Sequence, residues 1–92
     1  MEVEKLISSL DETIAFLRDS ETSDYSQTSV ENIIASLGFE LMKIRNSQPI
    51  DTRLLSLLYA PTGAIQETAM DNGWSQEYLR ISEVIDRFTV GK

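Results

Sequence analysis

Apolar residues recur along this chain at steps of three and four, and no segment alternates at steps of two. That spacing predicts helices, because an α-helix turns about 100° per residue and lines up positions three and four apart. Val3, Leu6, Ile7, Leu10, Ile14 and Leu17 fall within a stripe less than about 90° wide, predicting a helix from about Val3 to Asp19. The stretch 20–27 is rich in Ser, Thr and Asp, which bond their own backbone and favour turns, so it reads as a loop. Thr28-Ser29-Val30-Glu31 matches a capping box, with Thr28 and Glu31 each answering a free N–H at a helix start. The helix behind it carries Val30, Ile33, Ile34, Leu37, Leu41 and Ile44 on one stripe and ends on Lys43 and Arg45, where the helix dipole favours positive charge.

Asn46 to Pro49 breaks the pattern. Asp51 is placed to cap a third helix, with Ile50 and Leu55 as a staple across the cap. Leu54, Leu55, Leu57, Leu58 and Tyr59 make this helix apolar nearly all round, which predicts a central position. The stripe runs in phase through Pro61, yet proline removes a helical hydrogen bond and clashes with the turn before it. Two outcomes stay open: a kinked helix over 52–71, or two short helices meeting at Ala60-Pro61. Asn72-Gly73 reads as a helix end with Trp74 packing back, and Ser75 as the cap of a last helix along Tyr78, Ile81, Ile85 and Phe88. The predicted fold is all-α, a small irregular bundle of four to five short helices, in one domain over 1–92. The first two helices would form an antiparallel hairpin.

Composition narrows what such a bundle can do. The 92 residues include no histidine and no cysteine, which removes the commonest general base, the thiol nucleophile and the usual zinc ligands. No hydrolase elbow, phosphate-cradling glycine loop or two-histidine zinc helix is present. Asp71-Asn72-Gly73 has the look of a calcium-loop centre, but Thr68 and Met70 stand at the preceding ligand positions and a methionine side chain offers no oxygen. The expectation is a non-enzyme without metal or cofactor. No apolar run reaches the roughly 20 residues of a membrane span, and Met1 to Lys5 lack signal-peptide character, so the expected location is cytoplasmic.

Net charge is −7, and residues 1–31 hold eight acids against Lys5 and Arg18. Phosphate backbones repel such a chain, and the helix starts at Asp51 and Ser75 lack basic residues for a DNA groove, so nucleic acid is not an expected partner. A protein with a basic surface is.

Leu37-Gly38-Phe39 with the later Leu54-Leu55, within 30–58, distantly resembles the ubiquitin-associated domain, a three-helix family with a Gly-Phe turn between its first two helices. The likeness covers under a third of the chain, and here Gly38-Phe39 falls inside an unbroken helical stripe, so no site is carried over from that family.

Two sets of residues are candidates for contact. Glu4, Asp11, Glu12 and Asp19 lie opposite the core stripe of the first helix as an acidic face. Phe16 sits about 140° off that stripe, and Ala35, Phe39 and Met42 form a second apolar face on the second helix. In one reading the second helix is central and neighbours cover both its faces, leaving Phe16 unexplained. In the other, these residues form a contact surface. The functional expectation is a small acidic protein-binding module, an inhibitor, immunity-type or antitoxin-type regulator. The alternative is a homodimeric structural or adaptor domain, paired through helices one and two.

Overall fold

The periodic segments fold as expected. The computed structural model describes residues 2–21, 29–61 and 63–89, and these hold α1 (Glu2–Arg18), α2 (Val30–Arg45), α3 (Thr52–Leu58), α4 (Ala64–Asn72) and α5 (Ser75–Thr89). No described residue lies in a strand, so the all-α class and the small irregular bundle stand. Gly38 and Phe39 are inside α2, with no turn between them.

The helix ends follow local chemistry, with two corrections. Thr28 lies outside the described residues, and the cap of α2 is Ser29, whose side chain accepts the Asn32 N–H at 3.2 Å. Asp51 caps α3 as predicted, its carboxylate accepting the Leu54 N–H at 2.9 Å. At Pro61 the helix breaks. α3 ends at Leu58, α4 begins at Ala64, and the Gly63 N–H closes the connection on the Ala60 carbonyl at 2.8 Å. A Cβ at position 63 would stand 2.9 Å from the carbonyl oxygens of both Leu57 and Ala60, so this corner admits only glycine. Gly73 takes the left-handed conformation at φ 82° and lets the Trp74 N–H reach back to the Ala69 carbonyl at 2.9 Å. Ser75 is not the cap of α5 but its first residue; the first helical bond runs from the Tyr78 N–H to the Trp74 carbonyl, at 2.9 Å.

Packing departs from the leucine count. α1 and α2 form the expected antiparallel hairpin, with Val3 and Leu6 at the start of α1 lining one groove with Ile44 and Ser47 at the end of α2. The central helix, however, is α5, which packs on α1, α3 and α4. α3 is a seven-residue helix that buries Leu55 and Leu58 but leaves Leu57 64% exposed. Two turns cannot present all sides to neighbours. α5 is fifteen residues long and buries Tyr78, Ile81 and Ile85 against three helices.

One contiguous core joins Leu6, Leu10, Ile14 and Leu17 of α1 to Val30, Ile33, Leu37 and Leu41 of α2 and to the inward faces of α3, α4 and α5. Each fully buried leucine there contributes about 1.5–3 kcal/mol relative to exposure. A short polar chain runs through it. The Tyr78 hydroxyl donates to the Tyr59 carbonyl at 2.6 Å, the Tyr59 hydroxyl to Thr13 Oγ1 at 2.7 Å, and Thr13 Oγ1 to the Ser9 carbonyl at 2.8 Å. These bonds tie α5, the end of α3 and α1 together while leaving none of the three hydroxyls unsatisfied. Among the described residues no helix is long and apolar enough to cross a membrane.

Candidate interaction surface

Phe16 has an internal partner. Its ring stacks on the indole of Trp74 with centroids 5.0 Å apart and planes 9° from parallel. The Trp74 indole N–H donates to Ser20 Oγ at 2.9 Å, and that hydroxyl donates to the Phe16 carbonyl at 2.7 Å. Beside them the Asn72 amide takes both backbone groups of Glu21, accepting its N–H at 3.0 Å and donating to its carbonyl at 2.9 Å. This corner fastens the end of α1 to the α4–α5 turn. The ring that falls off its helix stripe therefore has a packing role within the fold.

The second candidate face has no such cover. Ala35 is exposed, Phe39 is 53% exposed and Met42 46%, so the reading in which neighbours bury both sides of α2 does not hold. The inward side of α2 packs on α1 and α4, and its outward side faces solvent. Phe39 is held from behind: the Lys43 ammonium stands 4.7 Å above its ring centre and 2.9 Å from Glu40 Oε2. A cation over an aromatic face favours one ring orientation.

Glu40 went unnoticed in the sequence pattern. It is fully buried, and its Oε1 accepts the Asp51 N–H at 2.7 Å, tethering α2 to the cap of α3. Its Oε2 makes no well-angled hydrogen bond and depends on the ion pair with Lys43. A buried carboxylate is costly unless paired, so Lys43 is committed to it. The signal was present in the sequence: Glu40 lies three residues after Leu37 and four before Ile44, on the buried side of the stripe.

The acidic candidates divide. Asp11, Glu12 and Asp19 lie on the outer side of α1, but Arg45 of α2 reaches to 3.9 Å from Asp11, and Arg80 of α5 pairs with Glu12. The Glu12 carboxylate holds the Arg80 guanidinium above its usual range by hydrogen bonding and charge. Glu4 is exposed and lines, with Lys5, Ser8, Glu12, Arg80 and Val84, a shallow cleft of about 330 Å³ between α1 and α5. Bases from α1, α2 and α5 thus interleave with the acids, and exposed pairs of this kind add little stability.

Among the described residues no group of three or more carboxylates is placed to hold a metal ion. No family model, curated protein or solved structure matches the chain.

Proposed function

We propose that this chain acts as a protein-binding module and that the outer face of α2 is its contact surface. The observation that carries the reading is the exposure of Phe39 and Met42 on a helix whose other side is fully engaged. Interface energy concentrates in a few aromatic and long apolar side chains already held in place, and the Lys43 cation holds the Phe39 ring. Glu40 and Lys43 act as support, keeping α2 registered against α3.

The narrower reading, an inhibitor, immunity-type or antitoxin-type regulator of a basic protein, draws on the net charge of −7 and its concentration in the first 31 residues. It would use Glu4, Asp11, Glu12 and Asp19. Since two of these already face arginines, we assign the stripe a steering role in approach and place the contact itself on α2.

Photo-crosslinking in the native host tests the choice. A benzophenone side chain at Phe39 should give protein adducts, and one at the exposed Ala15 of the acidic stripe should give few. Adducts at 15 and none at 39 would move the contact surface to α1.

A further inference from the structure

Five positions share one face of α2, Glu31, Ala35, Met42 and Arg45 exposed and Gly38 half-buried between them, at steps of four, three, four and three. Phe39 lies beside them. Gly38 is at the middle, seven residues from Glu31 and seven from Arg45. A Cβ added at Gly38 would meet nothing within 4 Å, so among the described residues no contact calls for a glycine there. Yet glycine within a helix is a cost relative to alanine.

We propose that the α2 face binds a second copy of this chain, the two helices crossing antiparallel about a two-fold axis at Gly38. The inference rests on the α2 reading above and names its partner. Charge complementarity carries it. A two-fold at Gly38 places Glu31 of each copy opposite Arg45 of the other; both residues are exposed, and the long, solvent-exposed approach of Arg45 to Asp11 of its own chain, at 3.9 Å, is of the kind that contributes little and leaves the guanidinium able to turn to Glu31. The order of charges that suits each helix dipole, acid first and base last, also makes this face complementary to itself when turned around. Sizes match in the same arrangement. Ala35 falls beside Met42 of the second copy, small against large, while the two glycines let the backbones approach and leave room for each Phe39 ring across the axis. The exposed apolar side chains are then covered on both copies at once. Apart from Asp11, which stands beside Arg45, the acidic residues of α1 remain outside the contact, so the assembly carries two such stripes.

The interface is one helix wide, at the small end of specific interfaces, so the dimer is sought across a wide concentration range. Sedimentation equilibrium of the full chain from low micromolar to millimolar concentration should show monomer and dimer in exchange. Glu31→Arg or Arg45→Glu alone should weaken the dimer about tenfold, and the two together should restore it, because the swapped pair attracts again. The doubly swapped chain should not pair with the unaltered one. Gly38→Leu should raise the melting temperature of the monomer while weakening association about tenfold or more, a split that mere misfolding cannot produce.

A strict monomer across that range overturns the inference, and so does a dimer that ignores Gly38→Leu or fails to recover in the double swap. In either case, adducts at position 39 with a different protein would leave the α2 contact surface standing. Their absence would remove that surface as well.

Discussion

Phe16 and Phe39 look alike in the sequence, each an aromatic ring on a helix and off the stripe that faces the core. In the fold they part. Phe16 meets Trp74 ring to ring, and a hydroxyl shared between the Phe16 carbonyl and the Trp74 indole locks the pair. Phe39 has the ammonium of Lys43 from its own helix over its ring and stays 53% exposed. An off-stripe aromatic is thus no sign of an interface until the rest of the fold has had the chance to cover it. α1 lies where the α4–α5 turn closes over its end. α2 packs on α1 and α4 from its inward side only. Position in the bundle separates the two rings.

The contrast can be broken at its strongest point. Trp74→Ala removes a buried indole and should cost about 3–5 kcal/mol in urea unfolding, a large share of what a domain this small holds. A loss below about 1 kcal/mol would mean the corner is not holding α1.

Next comes the support beneath Phe39. Glu40→Ala leaves the Asp51 N–H without its acceptor and Lys43 without its counter-ion, and should cost about 2–4 kcal/mol. If the variant melts like the parent, the tether between α2 and α3 is dispensable.

Phe16→Ala should follow at about 2 kcal/mol, since the ring is only half-buried, and a double-mutant cycle with Trp74→Ala should return a coupling of about 0.5–1.5 kcal/mol. Zero coupling would reduce the stack to simple proximity.

The tyrosine chain sharpens the comparison through pH. Burial, the leading cause in both cases, pushes the Tyr59 and Tyr78 phenols up, while an unfolded phenol ionises near about 10. The folded state therefore keeps its protons where the unfolded state gives them up. Stability from this source is complete below about pH 10 and lost as pH climbs beyond it. Tyr59→Phe should cost about 1 kcal/mol at neutral pH, through the bond to Thr13, and make the alkaline loss shallower. An equally steep alkaline transition would place the responsible group elsewhere.

The smallest effect belongs to the other ring. Phe39→Ala should change folding stability by less than about 0.5 kcal/mol while abolishing self-association at α2. A cost near that of Phe16→Ala would show that the ring serves the fold after all.

Helix placement was readable from the chain because its causes are local. Periodicity marked α1 and α2 to within a residue, Asp51 caps its helix, Gly73 ends one, and Pro61 resolves into a break because Gly63 sits against three backbone carbonyls. Errors arose where a neighbour in space had a say. The capping box points to Thr28 and the spacing to Ser75, while the fold caps α2 with Ser29 and takes Ser75 into α5, a difference of one residue of the kind that the packing of a turn decides. The leucines of α3 promised a central helix, but apolar content cannot tell how many partners a two-turn helix can reach.

By itself, then, the sequence determined the helical class, the inward stripe of each long helix, most of the breaks, and an acidic first third without histidine or cysteine. All of these depend on residues within a turn or two of one another, or on composition alone. Only the tertiary structure decided that Trp74 reaches Ser20 across 54 positions of chain, that Glu40 is buried with its counter-ion, that arginines of α2 and α5 interleave with the acids of α1, and that the second face of α2 is left open. Those outcomes depend on which helices come to lie side by side. Burial of all the stripes together sets that arrangement, and no single stripe encodes it.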